Sequence, residues 1–334
     1  MLIEHRATIK DVARAAKVSS ATVSRALNQT TFVSPEVLER IEDAVKRLNY
    51  APNSAAKQLA SGKRMTLGFA VPHMRGDFFL PLLEGVEQGA HRAGYGLLIH
   101  TLPNTNKPTS LLTSPVNEHS TDGIIVFPGS LNPSELSRLA ALQFPLVSLY
   151  QTALGYEQAP FINFENRASA YNLVKHLITE HGYQHIAYLR GPELQKDSLE
   201  REAGYESALI EAGLAPIIGY GDYNERRAYE TVFAWFSAKN SIDAIFTGSD
   251  EAAVGTLQAL RQLDLRVPED VAVVGFDDLR LAQHLAPPLT TVRVPITEGG
   301  YAAVRALLGL IRGEVVSNTV LATELVIRAS CGCK

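Results

Sequence analysis

Within the first fifty residues, apolar positions recur at helical spacing in three short bursts. Thr8 offers a cap, and Ile9, Val12, Ala13 and Ala16 follow at i, i+3, i+4 and i+7, one face of a helix. Lys17-Val18-Ser19 interrupts the pattern. A second helix is predicted from Ser20 to Leu27. It turns Val23, Ala26 and Leu27 inward and leaves Ser20, Ala21, Thr22, Ser24, Arg25 and Asn28 outside. Ser34-Pro35, a cap residue followed by Pro in the first turn, opens a third helix with Val37, Leu38, Ile41, Val45 and Leu48 on its inner face. Helix, three-residue turn, helix with small and hydrogen-bonding groups on the open face is the helix-turn-helix plan, whose second helix enters a DNA major groove. A small helical bundle with no ligand shares the spacing.

Residues 49–65 carry good helix formers in Ala55, Ala56, Lys57, Gln58 and Leu59. A helix this short is marginal alone in water, so it orders only when DNA or a second copy holds it; an ordinary tether is the plain alternative. From Thr66 onward, short apolar runs alternate with longer helical stretches. Ten strands are predicted, from Thr66–Val71 to a single run Val320–Val326, with helices such as Phe79–Ala93, Arg167–His181 and Asp250–Leu263 between them. Nearly continuous apolar strands alternating with helices imply parallel sheets covered on both faces. Ten strands exceed one comfortable sheet, so two doubly wound subdomains are expected, with a ligand in the crevice at the carboxyl ends of the strands.

Charge sharpens the reading of the head. Residues 1–64 carry 11 Lys+Arg against 6 Asp+Glu, a net of +5, while the remainder carries −9 and the whole chain −4. A basic head on an acidic body suits a phosphate-facing surface, because cations at phosphates release counterions from the duplex. The 334 residues, 46% of them hydrophobic, allow two or three cored domains. No charged leader precedes an apolar stretch and no apolar run spans a bilayer, so a cytoplasmic protein without membrane contact is expected. Cys331 and Cys333 read as an unbridged reduced tail, since C-x-C alone is too short for a four-ligand zinc site.

Polar residues that follow strands are the candidates for the crevice. They are His73, Asp77 and Phe78-Phe79 after the first strand and Tyr150 after the fourth. Gly191-Pro192, Ser249-Asp250-Glu251 and Asp277-Asp278 follow later strands, with Arg201 and Tyr223 in reach. An arginine fork, carboxylates and aromatic faces together suit a small polyhydroxylated ligand. Taken singly, each also serves as a cap or surface charge: Asp250 opens a helix, and Asp277-Asp278 can cap a segment. G-x-S-x-G, the phosphate-binding loop, H-E-x-x-H and a helix-opening G-x-G-x-x-G are all missing. No enzyme, catalytic residue, cofactor or metal is therefore expected.

TIKDVARAAKVSSATVSRALN, VSPEVLERI, NYAPNSAAKQL, TLGFAVP, DGIIV, RVPEDVAVVGFDD and PPLTTVRVP, in that order from Thr8 to Arg328, resemble the lac repressor family (LacI/GalR) of bacterial transcription regulators. The resemblance implies an all-α helix-turn-helix head on an α/β periplasmic-binding-protein-like body of two doubly wound parallel-sheet subdomains. Its divisions are a DNA-binding head at 1–50, a hinge helix and linker at 51–65, and an effector-binding and dimerisation body at 66–334. Within the body, the N-subdomain takes about 66–164 plus 295–322 and the C-subdomain about 165–294 plus 323–334.

By position, the resemblance implies that Ser20, Ala21 and Arg25 read bases, and that Thr22, Ser24, Asn28, Ser34, Tyr50 and Asn53 touch phosphates, with Thr8 also at the DNA. Lys57 and Leu59 match the hinge helix, where the family wedges a leucine into the minor groove. Phe78, Phe79, Tyr150, Arg201, Tyr223, Ser249, Asp250 and Asp277 fall on effector positions. The departures are Lys17 where glycine is common in the turn, Tyr150 in place of an acidic residue, Glu165 in place of aspartate, and Pro108 and Pro115 inside a usual helix. The expectation is a homodimeric repressor that binds a near-palindromic double-stranded operator under control of a sugar or sugar derivative. A nucleoside or purine is the alternative effector, and a solute-binding module without DNA regulation the competing class.

Overall fold

Three helices make the head: α1 (Ile9–Ala16), α2 (Ser20–Asn28) and α3 (Pro35–Arg47). Both the backbone N–H and the hydroxyl of Thr8 donate to Asp11 Oδ2, at 3.0 and 2.6 Å, fixing the entry of α1. The helix stops at Lys17, a left-handed residue with φ 56° and ψ 45°. Ser19 Oγ then accepts the N–H of Thr22 at 3.1 Å and starts α2 after a three-residue turn. Val12, Ala13, Ala16, Val23, Ala26, Ile41 and Ala44 form the core, with Ile9, Val37, Val45 and Tyr50 packed around it. The third helix differs from its predicted face. Leu38 and Leu48 are exposed while Ala44 is buried. Leu38 lies at the edge of the stripe, and Leu48 is the C-cap, beyond the last helical turn.

The computed structural model describes residues 7–28, 31–50, 63–72, 74, 76–101, 111 and 114–333. It divides into two units at Arg64 and Met65. Asn53, Lys57 and Leu59, together with His73 and Pro108, lie outside the described residues.

In the larger unit, β1 (Thr66–Val71), β2 (Gly96–Thr101), β3 (Gly123–Val126), β4 (Leu146–Leu149) and β5 (Phe161–Phe164) join β11 (Thr319–Leu321) in one parallel sheet, ordered β11-β5-β4-β3-β1-β2. Alternation along β3 shows how both faces are covered. Ile125 points into the core built with Leu82 and Val86 of α4 (Phe79–Arg92) and Ala303 and Leu307 of α10 (Ile296–Ile311). Ile124 and Val126 point the other way, to Leu136 and Leu139 of α5 (Pro133–Ala141).

The second sheet repeats the plan with β6 (Ile186–Arg190), β7 (Ile217–Tyr220), β8 (Ala244–Thr247) and β9 (Ala272–Val274), ordered β7-β6-β8-β9 and parallel throughout. Ile186 and Tyr188 pack on α6 (Asn166–His181) and α7 (Lys196–Ala212). Ala187 and Leu189 pack on α8 (Glu225–Ser237) and α9 (Asp250–Gln262). A short antiparallel pair, β10 (Thr291–Arg293) with β12 (Glu324–Val326), completes the unit.

Two elements depart from the sequence expectation. The apolar run Val320–Val326 is two strands, not one: β11 pairs with β5, and after Ala322-Thr323 the chain enters β12 and pairs with β10. β7 was not anticipated, because it is a half-exposed edge strand with little apolar contrast. Residues 114–120, around Pro115, form turns and bends rather than helix. No described helix is long and apolar enough to cross a membrane.

Candidate functional site

On the head, α2 carries the open face expected of a DNA reader. Ala21 and Arg25 are exposed, while Ser20, Thr22 and Ser24 are half-buried at its flanks. Arg25 makes no ion pair with another described residue, so its guanidinium is available. Thr8 and Ser34 are exposed at the starts of α1 and α3, Asn28 ends α2, and Tyr50 rests against the head core. The hydroxyl proton of Thr8 is committed to Asp11.

In the body, a cavity of about 160 Å³ opens at the carboxyl ends of both parallel sheets. One wall is aromatic. Phe78 and Phe79 enter from the start of α4, Phe127 follows β3 and Tyr150 follows β4. Their rings interlock, with Phe127 and Tyr150 centroids 5.2 Å apart and Phe78 and Phe79 edge-on at 5.3 Å. The other wall is polar: Asp197 and Arg201 on α7, Tyr223 after β7, Ser249 and Glu251 around the start of α9, and Asp277 after β9.

Arg201 organises the polar wall. Only 2% of it is exposed, and its guanidinium lies 3.8 Å over the Phe276 ring and 5.3 Å from the Tyr223 ring. Its Nε donates to Asn166 Oδ1 at 2.9 Å and Nη1 to the Gly248 carbonyl at 2.5 Å. Nη2 stands 3.4 Å from Asp277 Oδ1 and 3.9 Å from Asp197 Oδ2. The Tyr223 hydroxyl donates to the same Asp197 oxygen at 3.2 Å. Gly191 permits this arrangement, since a Cβ there would fall 2.2 Å from Tyr223 Cζ.

At the cavity, the buried Tyr150 Oη has no hydrogen-bond partner among the described residues, and Asp277 Oδ1 has there only its 3.4 Å ion contact with Arg201. Burial pushes the Asp277 carboxyl up to about 7, against the pull of the Arg201 guanidinium. Burial and the facing Asp277 also raise the Tyr150 phenol well above its usual value, so it stays protonated. Tyr150, Asp222, Tyr223 and Asp277, all lining the cavity, have positive φ of 63°, 50°, 53° and 111°. Such backbone costs about 1–3 kcal/mol per residue and persists where surrounding structure enforces it.

Of the eight body residues expected at the effector site, seven line the cavity and one does not. Asp250 turns away: its Oδ2 accepts the Leu279 N–H at 2.8 Å and its Oδ1 the Thr291 hydroxyl at 2.6 Å, locking the loop after β9. Asp278 likewise holds Arg293 and Arg328, at 2.7 and 2.6 Å. Ser249 both lines the cavity and caps α9, accepting the Ala252 N–H at 3.2 Å. Sequence reasoning did not assign Phe127 or Asp197, and it named Glu251 as a crevice candidate without placing it among the effector residues. Phe127 directly follows a strand, and Asp197 sits one helical turn before Arg201, so both carried a signal of position.

The comparisons agree along the chain. Residues 8–53 match the family described as bacterial regulatory proteins, lacI family, and residues 174–331 match the periplasmic binding protein-like domain. The ribose operon repressor of Halalkalibacterium halodurans is 32% identical over 323 residues, 96% of this chain and 96% of that protein. The HTH-type transcriptional repressor PurR of Aliivibrio fischeri is 31% identical over 339 residues, covering 97% and 98%. A crystal structure of the lac repressor dimer bound to operator and the anti-inducer ONPF superposes with a TM-score of 0.85 at 27% identity, over 98% of this chain and 99% of that one.

Proposed function

The chain belongs to the lacI family of bacterial regulatory proteins and is a DNA-binding transcriptional repressor, not an enzyme; on that premise we propose that it acts in the cytoplasm as a homodimer whose operator affinity is set by a sugar or sugar derivative in the Arg201 cavity. The observation that carries the effector reading is the buried Tyr150 Oη, without a hydrogen-bond partner among the described residues, beside Asp277 Oδ1, whose one close contact there is the 3.4 Å ion pair with Arg201. A buried polar atom without a partner costs about 1–3 kcal/mol, and vicinal hydroxyls of a sugar supply donors and acceptors to both. The Phe78, Phe127 and Tyr150 rings suit the apolar face of such a ring. The likeness to a ribose operon repressor supports the same class.

In this reading Ser20, Ala21 and Arg25 face base edges of a half-site, while Thr22, Ser24, Asn28, Ser34, Tyr50 and Asn53 position the head on phosphates. Lys57 and Leu59 form the hinge in the minor groove. Phe78, Phe79, Tyr150, Arg201, Tyr223, Ser249 and Asp277 hold the effector, joined by Asp197 and Glu251. Coupling of about 1–3 kcal/mol between cavity and hinge suffices for a useful switch.

The test has two arms. Operators selected from random duplexes by the full chain are expected to be near-palindromic. Thermal-shift and calorimetric panels of pentoses, hexoses, nucleosides and purine bases are expected to find a sugar that binds and changes operator affinity. Binding confined to purines would replace the sugar reading, and failure to enrich any duplex would remove the operator reading.

A further inference from the structure

The tail that the sequence leaves isolated is not isolated in the fold. Cys331 and Cys333 return to the end of α6, where His176 and His181 meet them. Cys331 Sγ lies 3.7 Å from His176 Nε2, while Cys333 Sγ lies 3.7 Å from His176 Nε2 and 3.3 Å from His181 Nε2. One ligand-type atom from each of the four residues lies within 4.8 Å of every other. Tetrahedral zinc, with bonds of about 2.3 Å to sulfur and 2.0 Å to nitrogen, places its ligand atoms about 3.3–3.8 Å apart. The three sulfur–nitrogen separations fall in that range.

Surrounding groups hold the four side chains in place. Gly332 separates the two cysteines with φ +105°, a left-handed conformation that folds the tail so both sulfurs face α6. A Cβ at that position would press on His181 Nδ1 at 3.2 Å, so the histidine ring packs directly against the glycine. Tyr183 stacks on His181 at 5.6 Å and donates its hydroxyl to the Cys331 carbonyl at 3.1 Å. Thr290 Oγ1, 3.1 Å from Cys331 Sγ, is placed to donate to a thiolate. Both cysteines are free thiols.

We propose that His176, His181, Cys331 and Cys333 bind zinc(II) in tetrahedral two-nitrogen, two-sulfur coordination, pinning the C-terminal tail to α6. Four protein donors close the coordination sphere, which is the composition of a structural site. On binding, each thiol passes its proton to solvent and its sulfur lone pair to the metal, so two protons leave per zinc. The pinned segment includes Ser330, whose hydroxyl donates to the Val273 carbonyl at 2.6 Å and accepts the Thr290 N–H at 2.8 Å. The metal therefore steadies the segment that ties Val273 of β9 to Thr290, just before β10.

The experiment uses the full chain, stripped of metal by chelator, kept reduced with a non-thiol reductant and titrated with cobalt(II). Expected are a thiolate-to-cobalt charge-transfer band and the intense visible bands of tetrahedral cobalt, saturating at one ion per chain and bleached by zinc. Cys333→Ser and His181→Gln are each expected to abolish or shift these bands while circular dichroism stays that of the parent. Zinc is expected to raise the melting temperature of the parent and not of Cys333→Ser. No charge-transfer band in the reduced parent, or an undiminished band in Cys333→Ser, would overturn the proposal.

Discussion

Glu251 accepts the backbone N–H of Phe78 at 3.4 Å, tying the helix after β8 to the loop after β1, 173 residues away in sequence. Their elements follow strands of different sheets, and both residues line the cavity, so this bond crosses between its two sides. The loop passes through Gly76, whose φ of +79° favours glycine and whose missing side chain leaves room for the Glu251 carboxylate. Burial raises the Glu251 carboxyl above its usual value, while the N–H groups of Phe78 and Asp77 oppose that rise.

Removing this clasp, itself part of the polar wall, should weaken effector binding. Hydrogen bonds to charged groups contribute about 1.5–3 kcal/mol net, and the length and partial exposure of this one point to the low end. Glu251→Ala is expected to raise the effector Kd about five- to tenfold by calorimetry, with Glu251→Gln near the parent because it keeps an acceptor. An unchanged Kd in Glu251→Ala would show that the contact does not hold the cleft.

Tyr150→Phe separates binding from folding. It deletes only the unpartnered Oη and keeps the ring that packs on Phe127 and Phe164. Losing a buried unsatisfied hydroxyl removes a penalty of about 1–3 kcal/mol, so the ligand-free melting temperature is expected to hold or rise. Effector affinity is expected to fall about tenfold. A drop in ligand-free stability would mean that the hydroxyl has a partner in the folded protein. Arg201→Ala is the poorer probe, because it strips a buried cation from Asp277 and Asp197, and breaking such a group costs about 3–5 kcal/mol of stability.

Asp277 should make the ligand-free body pH-sensitive. Its carboxyl, ordinarily near 3.8, is pushed up to about 7 by burial. Between those values the folded chain keeps a proton that the unfolded chain releases. The contribution is full below about pH 4 and is lost as pH rises through 7. The melting temperature is therefore expected to decline across that window, and Asp277→Asn to flatten the decline. Asp250, Glu251 and Glu202, shifted in the same direction, leave a residual slope. Equal slopes in parent and variant would remove Asp277 as the cause.

These sites differ in how far the sequence reveals them. The head was legible because caps and a 3.6-residue period coincide: Thr8 with Asp11, Ser19 with Thr22, and Val12, Ala13, Ala16, Val23 and Ala26 buried as spaced. The rule that ligands sit after parallel strands located Phe78, Tyr150, Ser249 and Asp277. It could not say which of two adjacent carboxylates faces the cavity, because neighbouring side chains on a helix diverge by about 100°. Asp250 went inward to Thr291 and Glu251 outward to Phe78. The β11–β12 break was hidden because only Thr323-Glu324 interrupts the apolar residues there, and no Gly or Pro marks the change of sheet. The histidine–cysteine cluster was hidden by distance, its partners lying 152 to 157 residues apart.

Lys17 offers a stabilising substitution. It occupies the left-handed region at φ 56° with its side chain in solvent. That backbone costs an L-residue about 1–2 kcal/mol, while glycine adopts it freely but loses about 0.5–1 kcal/mol in chain entropy. Lys17→Gly is expected to stabilise the head by about 0.5–1 kcal/mol in denaturant unfolding followed by head-specific amide exchange. Destabilisation would mean that the lysine side chain contributes more than the backbone costs.

Arg25 should decide one position of the operator. It is exposed on α2 and unpaired with other described residues, so its fork can reach both acceptors of a guanine. Such a contact is worth about 1–3 kcal/mol of discrimination, whereas a phosphate contact weakens every sequence alike. Duplexes selected by Arg25→Ala are expected to match the parent operator except at one base pair per half-site, where preference relaxes. Ser34→Ala, at the start of α3, is expected to reduce affinity for all selected duplexes by a similar factor. A uniform loss in Arg25→Ala, with every position of the preference intact, would place Arg25 on the backbone and leave base reading to Ser20 and Ala21.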